Sequence, residues 1–64
     1  MQPGDIVIVH TDNPHIKDMI NGKMGMIVEP EESGFFDWVV DIPASGRIGD
    51  LFALDEKNLK GIDQ

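Results

Sequence analysis

The chain has 64 residues, with 12 acidic and 5 basic side chains, no cysteine and a formal net charge of -7. One small domain is the limit at this length, which excludes an enzyme whose active site lies between two lobes. The lack of cysteine excludes a disulfide framework and a Cys-ligated zinc site.

The composition is that of a folded domain. The hydrophobic fraction of 41% is close to the globular average, and the charged fraction of 27% is too low for a disordered acidic tail. No basic, apolar leader and no run of about 20 apolar residues is present. We therefore expect one domain over residues 1–64, located in the cytoplasm and not associated with a membrane.

Turn residues divide the chain into five short predicted strands. The first is the β-branched run at 5–9, and the second, at 25–29, ends at Pro30, which lacks an N–H group. The third, at 36–42, alternates with a period of two. This alternation predicts a core face formed by Phe36, Trp38, Val40 and Ile42.

The C-terminal part predicts two further strands. A fourth strand at 48–54 follows a turn at 44–47. Asp55 is then expected to cap a single 3-10 turn at 56–58, which directs Leu59 inward before a last strand at 60–62. The predicted fold class is therefore all-β, with five strands.

Residues 11–21 form the one long connection. Residues 16–20 could make a helical turn, but Pro14 and the short length argue against a lasting helix, so we interpret the segment as a loop. Asn21-Gly22 is typical of a type I′ hairpin turn, because both residues tolerate positive φ.

Glycines and apolar residues at strand spacing carry a family resemblance. The pattern, with its signature turn at 22–25, resembles the SH3-like β-barrels, including the KOW-type modules. Its residues are Gly4, Asp5, Val7, Val9, Gly22, Lys23, Gly25, Ile27, Val28, Val39, Val40, Phe52, Leu54, Asn58, Leu59 and Ile62. The resemblance implies a small five-stranded barrel with one short 3-10 turn near the C-terminus. It also implies that the glycine of the signature turn lets two strands approach closely. Residues 52–56 are similar to the closing strand of the small E subunit of photosystem I, a family that docks on a large complex.

No catalytic constellation is present, so we expect no enzyme activity and no cofactor. Ser33 and Ser45 each precede a glycine in a predicted turn, and neither has the sequence context of a nucleophile elbow. His10, Asp12 and His15 could converge as metal ligands, but solvated loop residues are the preferred interpretation, and no metal is expected.

A set of loop residues is the candidate partner-binding site. Phe35 falls off the core face of the third strand and is either a lid or an exposed anchor. Met19 and Met24 either fill gaps or form an adaptable contact surface. The set comprises His15, Ile16, Lys17, Met19, Met24, Glu31, Glu32 and Phe35.

Three functions fit this sequence. The first is a non-enzymatic module that binds a larger protein or assembly through its loops, and its acidic charge suits a partner with a basic surface. The second is an acidic inhibitor, encoded by a phage or mobile element, that mimics nucleic acid on a host protein. The third is an accessory subunit of an electron-transfer or enzyme complex. Nucleic acid is an improbable partner because cations are few, and a monomer or weak dimer is expected.

Overall fold

The fold is a single antiparallel sheet of five strands. A computed structural model describes residues 1–43 and 51–62. The strands pair antiparallel in the order β4-β3-β2-β1-β5. They are β1 (Ile6–Val9), β2 (Met24–Pro30), β3 (Trp38–Asp41), β4 (Leu51–Leu54) and β5 (Leu59–Gly61). The all-β class predicted from the sequence is confirmed.

The sheet is open, which corrects the expectation of a closed barrel. β4 and β5 are its outermost strands, and in the described part of the chain no ladder joins them. A 3-10 turn at Glu56–Asn58 carries the chain from one edge to the other, and β5 has only three residues. The sheet therefore has two separate edges, and its strands do not form a closed ring.

One face of the sheet carries the core. In β1 the valines at 7 and 9 are fully buried, and the isoleucines at 6 and 8 are half-buried on the opposite face. The same alternation continues through the other strands because neighbouring side chains point to opposite faces. The buried apolar residues are Val7, Val9, Ile20, Ile27, Val40, Ile42, Phe52, Leu54 and Leu59.

The third strand is shorter than predicted, and Phe36 is not a core residue. The Phe36 side chain is 43% exposed, whereas Val40 and Ile42 are fully buried. The Glu31 N–H donates to the Asp37 carbonyl oxygen (3.1 Å), which closes a loop before the ladder begins at Trp38. The period of two therefore does not extend back to Phe36.

The predicted 3-10 turn is confirmed, and Leu59 is buried after it. Asp55 occupies the N-cap position but makes no side-chain capping bond. Instead Asp37 Oδ2 accepts the Glu56 N–H (2.9 Å). The predicted turn at 44–47 and the first part of the predicted fourth strand, 48–50, lie outside the described residues.

The long connection, which we interpreted as a loop, contains one turn of helix, α1 (Lys17–Ile20), within the segment that could make a helical turn. Ile20 is fully buried, and Ile16 and Met19 pack against the core. Burial of this apolar group stabilises a helical turn that is too short to persist alone. Across residues 1–43 and 51–62, no helix has the length and apolar character needed to cross a membrane.

The turn at Asn21-Gly22 is type II and not type I′. Asn21 has φ -63° and ψ 135°, and only Gly22 has a positive φ, 80°. The Lys23 N–H donates to the Ile20 carbonyl oxygen (3.1 Å) across this turn. The turn connects α1 to β2. Because a helix and not a strand precedes it, it does not form the predicted two-residue hairpin.

Candidate binding cleft

A cleft of about 260 Å³ lies beside the core. Its walls come from three parts of the chain, namely the start of the long connection (11–16), Phe36, and the segment 53–58 with its 3-10 turn. We call the connection 11–21 the first loop and the segment 31–37, between β2 and β3, the aromatic loop.

Backbone and amide hydrogen bonds hold the first loop in place. The Asn21 side chain accepts the Thr11 N–H at Oδ1 (2.7 Å) and donates from Nδ2 to the Thr11 carbonyl oxygen (2.9 Å). Thr11 Oγ1 accepts the Asn13 N–H (3.2 Å), and Asn13 Oδ1 accepts the His15 N–H (2.9 Å). This wall of the cleft is therefore ordered before any ligand arrives, which lowers the entropy cost of binding.

The opposite wall is tied to the end of β1. The His10 N–H donates to the Asn58 carbonyl oxygen (2.8 Å), and Asn58 Nδ2 donates to the His10 carbonyl oxygen (3.1 Å). Trp38 Nε1 donates to Glu56 Oε1 (3.2 Å). The 3-10 turn is thus fixed to both β1 and β3.

The aromatic loop presents Phe35 to solvent, with its side chain 84% exposed. Glu31 accepts hydrogen bonds from the Ser33 N–H and from Ser33 Oγ, and Ser33 Oγ accepts the Phe35 N–H (3.1 Å). Gly34 has φ 85°, a conformation that side-chain-bearing residues rarely adopt. The loop therefore holds the Phe35 ring away from the core, so Phe35 is exposed and does not form a lid.

The cleft combines apolar and acidic groups. Ile16, Phe36 and Leu54 contribute apolar surface, and Asp12 and Asp55 contribute carboxylates. Lys57 is the lysine among the lining residues. A cleft lined by both polar and apolar surface, with two carboxylates among its lining residues, favours a ligand that pairs an apolar group with a cation.

The structure separates the predicted partner-binding residues into four places. Ile16 lines the cleft, and His15 and Lys17 are exposed beside it on the first loop. Met19 packs against the core, so it fills space. The aromatic loop carries Glu31, Glu32 and Phe35.

Met24 lies away from the cleft, on the other face of the sheet. It is 55% exposed and, with Met26 (41% exposed), lines a shallow depression of about 280 Å³ that also contacts Ile6, Asp41 and Pro43. Methionine at two alternate positions of β2 is the sequence signal for this apolar outer face.

Sequence reasoning missed most of the cleft. Phe36 was assigned to the core, and Leu54, Asp55 and Asn58 were interpreted only as strand and turn residues. The cleft depends on the distance between the first loop and the 3-10 turn, and these segments lie about 40 residues apart in the sequence.

His10 lies directly after β1, and Asp12 and His15 lie in the first loop. In residues 1–43 and 51–62 no group of three or more His, Cys, Asp or Glu side chains is placed to hold a metal ion. His10 and His15 are exposed, and their backbone N–H groups take part in the loop contacts described above.

Comparison of the chain with family models, with curated proteins and with solved structures finds no match. Function is therefore inferred from the cleft, the exposed aromatic ring and the charge.

Proposed function

We propose that this chain is a non-enzymatic binding module of the SH3-like kind, which docks on a larger protein or assembly in the cytoplasm. The observation that carries the proposal is the cleft between the first loop and the 3-10 turn, with Phe36 in its wall. The strand order, with the N-terminal and C-terminal strands side by side and a 3-10 turn before the last strand, supports the SH3-like assignment.

The dimensions of the cleft favour a segment of polypeptide as its ligand. A volume of about 260 Å³ accommodates a few side chains and is smaller than most sites that enclose a cofactor. The ordered walls suit an extended segment that places an apolar side chain against Ile16, Phe36 and Leu54. A neighbouring Lys or Arg of the ligand would pair with Asp12 or Asp55.

Phe35 extends this surface beyond the cleft. It follows Ser33 and Gly34 in the aromatic loop and directly precedes Phe36, so one short segment supplies both a cleft wall and an exposed ring. Aromatic side chains are enriched among the residues that dominate binding energy at protein interfaces. Phe35 is therefore the anchor that we expect to contact the partner outside the cleft.

The experiment is a tagged pull-down from source or host lysate with quantitative mass spectrometry, comparing wild type, Phe35→Ala and Phe36→Ala. Met24→Ala is the matched control, because its side chain is half-exposed on the other face of the sheet. We expect both phenylalanine variants to retain the fold and to recover at least about 10-fold less of the same partner, the loss of a typical hot-spot residue. Equal recovery with all variants would contradict the cleft as the docking site.

The net charge of -7 favours a second candidate, an acidic inhibitor that occupies a nucleic-acid-binding surface. The two candidates differ in salt dependence. A partner anchored by apolar side chains stays bound in a high-salt wash, whereas one held by carboxylates alone is released. Release by salt together with unchanged recovery by Phe35→Ala and Phe36→Ala would favour the inhibitor.

A further inference from the structure

The dipeptide that closes the first loop, Asn21-Gly22, makes hydrogen bonds through the Asn21 side-chain amide and through the Gly22 N–H. Asn21 Oδ1 and Nδ2 are both hydrogen-bonded to the backbone of Thr11, at 2.7 and 2.9 Å. The Gly22 N–H donates to the Val9 carbonyl oxygen (2.9 Å). We call these three hydrogen bonds the amide clamp.

Free of such contacts, an asparagine followed by glycine is prone to deamidation. The Gly22 nitrogen attacks Asn21 Cγ, an N–Cγ bond forms, and the Cγ–Nδ2 bond breaks. Ammonia leaves with the proton lost by the Gly22 nitrogen. Water then opens the resulting succinimide at one of its two carbonyl carbons, which yields an aspartate or an isoaspartate at position 21. Glycine favours the attack because no side chain shields its nitrogen.

We propose that Asn21-Gly22 is a deamidation site that the fold keeps inactive and that reacts when the first loop opens. The attacking nitrogen is engaged with Val9, and the amide under attack is engaged with Thr11 at both of its polar atoms. Reaction therefore requires the amide clamp to open, so its rate measures the population of the open loop.

The modification cannot be reversed by closing the loop again. An aspartate at position 21 lacks the Nδ2 donor and places a carboxylate against the Thr11 carbonyl oxygen. An isoaspartate adds a carbon atom to the main chain within the type II turn. Because Thr11 begins the cleft wall, each product releases the wall that the amide clamp holds.

The chain supplies its own controls. Its two other asparagines are Asn13 and Asn58. Pro14 follows Asn13 and has no N–H proton to lose, and Leu59 follows Asn58 and shields its nitrogen with a side chain. Only position 21 combines an asparagine with a glycine.

The first test compares deamidation of the full chain in native buffer and in concentrated urea, at the same mildly alkaline pH and temperature. Peptide mapping by mass spectrometry follows the replacement of NH₂ by OH at each asparagine. We expect position 21 to convert at least about 10-fold faster in urea, with little conversion at Asn13 or Asn58 in either condition. Equal rates in the two conditions, or no conversion of Asn21 in urea, would overturn the proposal.

The second test uses Asn21→Asp, which has the side chain of one product. Amide hydrogen exchange at Thr11 and Gly22 should be at least about 10-fold faster than in the wild type. Asp18→Asn is the matched control, because it changes one charge on the exposed side of the same loop. Unchanged exchange in Asn21→Asp would show that the amide clamp does not hold the loop. Both tests work without a binding partner, so their outcome is independent of the proposed function.

Discussion

At the scale of single residues, Gly25 is the position where the structure leaves least room. A Cβ atom there would lie 2.8 Å from Val40 Cγ1 and 3.0 Å from both the Asp41 carbonyl oxygen and Ile42 Cγ1. Val40 and Ile42 are fully buried, so neither side chain can move aside without disturbing the core. Gly25 therefore lies where β2 and the end of β3 approach each other closely.

We predict that Gly25→Ala lowers the free energy of unfolding by about 1–3 kcal/mol, the usual cost of overpacking a core. Urea denaturation followed by the fluorescence of Trp38, the one tryptophan, measures the change. Met24→Ala is the control, because it alters the neighbouring residue on the exposed face. A urea midpoint for Gly25→Ala equal to that of the wild type would refute this prediction.

Residue identity predicted some roles and concealed others. The inward position of Leu59 followed from its spacing after Asp55, and the structure confirms it. The capping of the 3-10 turn did not follow, because the acceptor of the Glu56 N–H is Asp37, which is 19 residues away. A local cap is visible in a sequence, whereas a cap supplied by another loop depends on how the sheet brings that loop close.

At the scale of elements, α1 depends on the core for its stability. A four-residue helix makes too few internal hydrogen bonds to persist alone, and Ile20 is its fully buried residue. The first loop is therefore attached to the sheet by apolar contact as well as by the amide clamp.

We predict that Ile20→Val destabilises the protein by about 1 kcal/mol through the lost methylene group. Lys17→Ala, on the exposed side of α1, should have little effect. Thermal unfolding measured by circular dichroism compares the two variants. If Ile20→Val and Lys17→Ala had the same melting temperature, the loop would not be part of the cooperative unit.

β1 and β2 were predictable to within one residue at each end, from the β-branched run at 5–9 and from the run at 25–29 that ends at Pro30. The register between β2 and β3 was not predictable from the sequence. Ile27 faces Val40 but Glu29 faces Val39, so Val28 is an extra residue in β2. Such a bulge leaves no mark in a pattern of apolar and polar residues, because it depends on the pairing of two strands. The type II turn at Asn21-Gly22 was missed for a similar reason, since α1 and not a strand precedes it.

At the scale of the whole molecule, the charge of -7 on 64 residues opposes compaction through self-repulsion. Salt screens this repulsion, with a Debye length that falls from about 30 Å at 0.01 M to about 10 Å at 0.1 M ionic strength. The sequence predicted this property fully, because net charge does not depend on the fold.

We predict that the melting temperature rises with NaCl concentration over this range. The double variant Asp18→Asn/Glu32→Gln has a net charge of -7 + 2 = -5 and should show a smaller rise. Both side chains are exposed and neither lines the cleft. Differential scanning calorimetry in a titration of NaCl measures the effect, and a melting temperature independent of salt would contradict it.

The pairing of β1 with β5 has a consequence for how this unit can be combined with others. The Ile62 N–H donates to the Ile6 carbonyl oxygen (3.3 Å), so the chain reaches the sheet and departs from it at neighbouring points, about one strand spacing or 4.8 Å apart. A host protein could therefore carry the whole unit within one of its own surface loops with little change to its backbone. The inserted unit would then expose its cleft on the surface of the host protein. The two connections to the host chain would lie next to each other.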